Sequence, residues 1–174
     1  MYIGDDGCEV VREFLHQNGA YVKGLDLKEN NIGAQGVFSI CKFLKETKTL
    51  KRLSLEWNVI GDSHQAVQAL CDALVNQTSL RELDLRNNRI GPESAAYLSD
   101  LVRRNTTLTT IDLRWNDLGD AGAKTISIGL EANRSILKLD LQGNKVTDET
   151  IELITPCLMR NRGSSLAEAG RQSL

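Results

Sequence analysis

Along the chain, aliphatic residues return in a fixed cadence with polar residues between them. Leu80, Leu83, Leu85, Asn88, Ile90 and Gly91 mark one copy of the pattern. The same places are held earlier by Val22, Leu25, Leu27, Asn30, Ile32 and Gly33, and then by Leu50, Leu53, Leu55, Asn58, Ile60 and Gly61. Leu108, Ile111, Leu113, Asn116, Leu118 and Gly119 follow, and Ile136, Leu139, Leu141, Asn144 and Val146 form a fifth copy with Thr147 in place of the glycine. The copies start at 22, 50, 80, 108 and 136, so the steps are 28, 30, 28 and 28 residues.

Each copy predicts the same pair of elements. In Leu83-Asp84-Leu85 the side chains alternate across a short strand, leucines to one side and Asp84 to the other. Ten and six residues before the next copy stand Ile40 and Leu44, Leu70 and Leu74, Leu98 and Val102, and Ile126 and Leu130. Such i, i+4 pairs lie on one face of a helix. Strand leucines and helix pairs meet in one core, closed above and below only by neighbouring copies. Parallel strands with helices returning behind them curve the stack and put the strands on its concave face. Asn30, Asn58, Asn88, Asn116 and Asn144 fall where the chain leaves the strand. A carboxamide there supplies donors and acceptors to a turn that has no ladder partners, so these five read as structural. The following glycines, with Pro92, Asp62, Asp120 and Asp148, suit a turn feeding a helix N-terminus.

Where the cadence fails, the ends and insertions become visible. Residues 1–21 read as a partial repeat without its strand, Ile3-Gly4 matching the motif's end and Val11 with Leu15 giving the helix pair. Met1 on this reading marks a fragment boundary or a natural helical cap. The extra residues of the 30-residue step fall among Asp62, Ser63, His64 and Gln65, which places His64 on an exposed insertion. The repeat domain is expected over residues 1–162, with Pro156 bending the last helix or starting a new turn. The glycine-flanked, polar stretch 163–174 reads as a linker or frayed end, although Ser165-Leu166-Ala167-Glu168 has the form of a helix start.

Bulk properties narrow the function classes. With 174 residues, 41% apolar content and a net charge of −2, the chain is expected to form one soluble unit with a sizeable core. No basic excess points to nucleic acid, and no long apolar run points to membrane insertion or a signal peptide. Cys8, Cys41, Cys71 and Cys157 lie in predicted helices and read as buried free thiols of a reducing compartment. The sequons at Asn76, Asn105 and Asn133 all fall in helix-to-strand turns and are taken as accidental. Neither histidine has a nucleophile at fixed spacing, and no phosphate loop or metal-ligand cluster is present in the sequence. The chain is therefore expected to be non-enzymatic, with no cofactor and no metal.

The outward strand positions form three columns: Gly24, Arg52, Glu82, Thr110 and Lys138; Asp26, Ser54, Asp84, Asp112 and Asp140; Lys28, Glu56, Arg86, Arg114 and Gln142. Strands about 4.8 Å apart let Asp84 and Asp112 face Arg86 and Arg114 along and across the sheet. One reading is a solvated ladder of ion pairs, each worth under ~1 kcal/mol. The other rests on Trp57 and Trp115, which each precede a motif asparagine and stand about 10 Å apart, two strand steps. Tryptophan beside arginine is the composition of a binding hot spot. Glu56, Trp57, Asp84, Arg86, Asp112, Arg114 and Trp115 are accordingly the candidate protein-binding residues. The opposing reading is that each indole folds over its neighbour's turn at the sheet edge.

The L-x-x-L-x-L-x-x-N pattern, its 28-residue period and the helix after every strand resemble the ribonuclease-inhibitor class of leucine-rich repeats over nearly the whole chain. The resemblance implies a right-handed α/β solenoid or horseshoe arc, intracellular and mostly protein-binding. Within the class, Leu55-Glu56-Trp57-Asn58, Leu83-Asp84-Leu85-Arg86-Asn87-Asn88 and Asp112-Leu113-Arg114-Trp115-Asn116 are similar to the repeat head of centrosomal leucine-rich-repeat and coiled-coil linker proteins. That likeness implies a cytoplasmic scaffold in centrosome cohesion or cilium assembly, although no sustained heptad follows Val146. Other members of the class keep alternatives open: an activator-like regulator of a small GTPase, with Arg86 or Arg114 meeting the phosphoryl group; a ligand-sensing repeat domain of the innate-immune type; and tropomodulin-like actin caps. The expected partner is a protein, and the terminal repeats are expected to offer surface for self-association.

Overall fold

The computed structural model describes residues 2–18 and 21–171, with side chains as far as Leu166. It opens with helix α1 (Gly4–Asn18), and five strand and helix pairs follow: β1 (Gly24–Asp26) and α2 (Ala34–Glu46), β2 (Arg52–Ser54) and α3 (His64–Val75), β3 (Glu82–Asp84) and α4 (Ala95–Arg104), β4 (Thr110–Asp112) and α5 (Gly119–Ala132), β5 (Lys138–Asp140) and α6 (Asp148–Arg171). The strands form one parallel sheet in sequence order, with Leu25, Leu53, Leu83, Ile111 and Leu139 in register across it. Strand pairing continues beyond the three-residue cores, because Leu55 N–H donates to Asp84 O and Trp57 N–H to Arg86 O, both at 2.9 Å.

The core is the one the cadence requires. Ile40, Leu44, Leu70, Leu74, Leu98, Val102, Ile126 and Leu130 are all essentially inaccessible, as are Leu53, Leu83 and Ile111 from the strands. Each helix packs on the one before and the one after it. Phe43 of α2, which lines one hollow with Leu15 and His16 of α1, is 4% exposed, whereas Phe14, at the matching place in α1, is 60% exposed.

The motif asparagines hold the turns. Asn116 Nδ2 donates to the carbonyls of Leu85, Leu113 and Arg114, while its Oδ1 accepts from the N–H groups of Asn88 (3.0 Å) and Ile90 (2.9 Å). Asn58 repeats this toward Leu27, Leu55, Glu56, Asn30 and Ile32. Each amide therefore binds its own turn to the preceding one. Gly61 sits so close to the next turn that a Cβ there would collide with the backbone of Arg89 and Ile90.

A second amide ladder, on the other end of the strands, has no counterpart in the sequence reading. Asn105 Nδ2 donates to Leu74 O and Gln77 O and its Oδ1 accepts from Thr107 and Leu108 N–H; Gln77 and Asn133 make the equivalent bonds one repeat to either side. Asn105 and Asn133 are thus buried and fully committed, so a glycan on either is incompatible with this fold. The signal was in the sequence: Gln77, Asn105 and Asn133 each stand three residues before a motif's first position.

In the longer second step a short 3-10 turn, Ile60–Asp62, runs on from the motif and Ser63 then caps α3 by accepting from Ala66 N–H, so that His64 is the first residue of that helix, exposed, rather than part of a loop. At the far end the chain departs from expectation. Residues 163–174 read as a linker or frayed end; α6 runs unbroken past Pro156 and is helical as far as Arg171, and the last three positions of that stretch lie outside the described residues. Arg160 donates to Leu130, Glu131 and Asn133 carbonyls and Arg162 to Leu137 O, so the middle of the helix is fastened to the preceding repeat. The four cysteines are free and buried. No helix among the described residues is long and apolar enough to cross a membrane.

Candidate functional site

The candidate site is built on the concave sheet and the turns that leave it. Parallel register brings Asp84 beside Asp112, and Asp112 beside Asp140. Left alone these carboxylates would repel one another; the arginines two residues further on bridge them. Arg86 Nε meets Asp84 Oδ1 at 3.0 Å and its Nη2 meets Glu56 Oε2 at 2.8 Å, one strand back, with Asp112 Oδ2 3.6 Å away on the next strand. Arg114 holds Asp112 through Nε at 2.9 Å and Nη2 at 2.6 Å, and lies 3.5 Å from Asp140. Each guanidinium therefore fastens its own strand's aspartate and reaches a neighbour's, which fixes the wall's side chains before any partner arrives.

The titration behaviour follows from this geometry. Burial pushes the Asp112 carboxyl up, but hydrogen bonds from the Arg114 side chain and backbone, with the charges of Arg114 and Arg86, outweigh it and hold it below the usual carboxylate range. The bond to Asp84 raises Arg86 still further above its ordinary value, as the bond to Asp112 raises Arg114. Glu56, Asp84, Arg86, Asp112 and Arg114 thus form one network. Beside it, a hollow of about 370 Å³ opens where Gly24 and Ser54 leave space among Asp26, Arg52, Glu82 and Asp84.

Trp57 and Trp115 lie at the rim, just outside this network, and their pose has a backbone cause. The column Glu29, Trp57, Asn87, Trp115 and Gly143 adopts positive φ throughout, 56°, 54°, 53°, 56° and 80°. That left-handed conformation, uncommon for tryptophan, swings the residue before each motif asparagine off the sheet. The six-membered ring of Trp115 comes to rest against Gly143, where a Cβ would overlap its Cε3. Both indoles remain more than half exposed, 57% and 56%, and with Asn87, Arg89 and Asp117 they line a hollow of about 260 Å³. Trp115 therefore does fold onto its neighbour's turn, and it still presents aromatic surface to solvent. The sequence carried the signal for this conformation, since asparagine and glycine in the same column are the residues that accept it most readily.

The repeats and their fold have counterparts among known proteins. A 102-residue stretch, 59% of this chain, is 34% identical to the leucine-rich repeat-containing protein 45 of Gallus gallus, of which it spans 15%. The fold superimposes on the leiomodin-1 actin-binding site 2 with a TM-score of 0.80 at 17% identity, covering 94% of this chain and 95% of that one. It superimposes on the tropomodulin C-terminal domain of Caenorhabditis elegans with a TM-score of 0.78 at 18% identity, covering 94% and 98%. Matches to the Leucine Rich repeat family cover residues 21–41, 48–63, 76–99, 104–127 and 132–154. With five matched repeats stacked on one parallel sheet, the chain belongs to the leucine-rich-repeat family.

Proposed function

We propose that the chain is a non-enzymatic protein-interaction scaffold whose partner docks on the concave wall and is anchored at its rim by Trp57 and Trp115. The carrying observation is the pair of half-exposed indoles around one hollow, next to a wall whose central charges are already paired. Exposed tryptophan on a fixed support loses little freedom on binding and buries a large area, which is how a few residues come to dominate an interface. The wall contributes register and exclusion of wrong partners more than raw affinity.

The same residues speak against the GTPase-activator alternative. An arginine that stabilises phosphoryl transfer needs donors to spare, whereas Arg86 Nε and Nη2 are engaged by Asp84 and Glu56, and the same atoms of Arg114 by Asp112. The leiomodin and tropomodulin likenesses, at 17% and 18% identity, speak for the fold alone. In the cell we place the scaffold in the cytoplasm at the centrosome or cilium base, in cohesion or cilium assembly. This placement rests on the motifs around Glu56, Asp84 and Arg114 and on the 34% identity noted above.

The test is the localisation and proximity labelling of the tagged chain in cultured cells, beside a Trp57→Ala, Trp115→Ala variant of unchanged melting temperature. The parent is expected to concentrate at the centrosome and label neighbours there, and the variant to disperse. Equal recruitment of both would refute the tryptophan anchor, and a parent with no centrosomal enrichment would refute the placement. Cosedimentation with actin filaments is the control for the alternative that the structural neighbours raise.

A further inference from the structure

The opposite end of the strands carries a charge imbalance that the concave wall does not. The turns leading from α2, α3, α4 and α5 into the following strands, residues 47–51, 77–81, 105–109 and 133–137, contain Lys48, Lys51, Arg81 and Arg134 and no acidic residue, and the stretch 161–165 of α6 beside the last of them adds Arg162, in a chain whose net charge is −2. On this edge a groove of about 580 Å³ runs across three turns and the side of α6; its lining includes Arg81, Arg103 and Arg134 and neither an acidic nor an aromatic side chain.

The guanidiniums here are in a different state from those on the wall. Arg81 uses only Nη1, on Thr78 O and Leu80 O, and Arg134 likewise uses only Nη1, on Glu131 O and Asn133 O. Arg162, whose Nε holds Leu137 O beside the groove, also meets no carboxylate among the described residues. Arg103 shares the single carboxylate of Asp100 with Arg104. Three cations are thus tethered by carbonyls, which orient them without neutralising them. On Arg81 and Arg134 the Nε and Nη2 donors, the fork that grips an anion, are uncommitted.

We propose that this groove binds an extended acidic segment of a partner protein, its anionic side chains seated between Arg81, Arg134 and Arg162. Neighbouring turns stand about 5 Å apart, so the two steps across three turns give a track of about 10 Å, which α6 extends, matching three or more residues of extended chain at roughly 3.3 Å each. The exposed hydroxyls of Thr106 and Ser165 add donors along it. Nucleic acid fits less well: the lining has no ring on which a base can stack, and the surplus of negative charge elsewhere repels a long phosphate polymer. This surface is separate from the tryptophan rim and lies at the other end of the same strands.

Fluorescence anisotropy on the intact chain tests it, with labelled probes of equal length: a glutamate-rich peptide, the same peptide with phosphoserines, and single-stranded RNA. Either peptide, or both, is expected to bind, more weakly as salt rises, and the pair reports whether carboxylate or phosphate is the better occupant. Arg81→Glu with Arg134→Glu is expected to weaken peptide binding about tenfold or more. Lys42→Glu with Lys145→Glu makes the same change in net charge on the convex side and the strand-exit edge, and is expected to leave binding unaltered, as is Trp57→Ala with Trp115→Ala. If the glutamate pair unfolds the chain, Arg81→Gln with Arg134→Gln replaces it. The proposal is overturned if neither peptide binds, if both charge-reversed pairs lose binding equally, if RNA binds more tightly than the peptides, if inorganic phosphate displaces the peptide at equal concentration, or if the tryptophan variant abolishes binding.

Discussion

The six-membered ring of Trp115 lies against Gly143, at the one place in its column where the following repeat has no side chain to obstruct it. Trp57, one column-mate removed, is followed instead by Asn87. The pose of Trp115 therefore depends on a glycine 28 residues away. Gly143→Ala is expected to displace the indole and to strain a backbone at φ 80°, at a stability loss of about 1 to 2 kcal/mol. A shift in tryptophan emission with a lowered melting temperature checks this; an unchanged spectrum would mean that the ring is not seated there.

Removing one motif amide should cost far more than its single side chain suggests. Asn116 serves three carbonyls and two N–H groups in two repeats, and it is buried. Asn116→Ala leaves them without partners, with an expected loss of roughly 3 kcal/mol or more, and Asn116→Asp is expected to fare little better because it offers acceptors only. Urea denaturation measures both; a midpoint matching the parent's would contradict the role given to the ladder.

Strong acid should weaken the tie between α5 and the last helix. Asp120, in the first turn of α5, accepts from Thr150 Oγ1 at 2.6 Å, Thr147 Oγ1 at 2.7 Å and Thr147 N–H at 3.0 Å, which ties α5 to the start of α6. Those bonds, with Lys124, hold its carboxyl well below the usual range. Because the folded value is depressed, the stabilisation is complete above the ordinary carboxylate range and is lost as pH falls through the folded value. The melting-temperature gap between the parent and Asp120→Asn is expected to be present at neutral pH and to close at strongly acidic pH. A gap that widens on acidification would reverse the sign and sink the assignment.

The thiols are expected to be silent in the native state. Burial first, then the charge of Asp5, pushes Cys8 up to about 11, and burial pushes Cys41 up to about 12 and Cys71 higher still. Thiolate is the reactive form, so an aromatic disulfide reagent at neutral pH should label these three only after denaturant is added. Rapid labelling of the folded chain would show that the helices open far more readily than their packing implies.

Most of the fold was legible because the cadence states it repeatedly: the strand leucines, helix pairs and motif asparagines sit where a 28-residue period puts them. Less legible were features set by backbone dihedrals and by bonds between turns. Positive φ at Trp57 and Trp115 was masked by the bulk of tryptophan, although Asn87 and Gly143 beside them hinted at it. The ladder of Gln77, Asn105 and Asn133 passed for ordinary turn polarity. The helical course of residues 163–171 was not legible because Gly163 suggests a break, while the guanidiniums of Arg160 and Arg162, which fasten the helix just before it, act over 25 to 30 residues of separation.

Two additional residues fit between Gly61 and α3, where Ser63 caps the helix, while Asn58 and Asn88 still reach the turns of their neighbours. Chain length in this molecule is thus negotiable on the outer, helical side alone. Insertions by descent or by engineering should be tolerated there and rejected between a strand and its asparagine, where one added residue would carry that amide away from the carbonyls and N–H groups it joins.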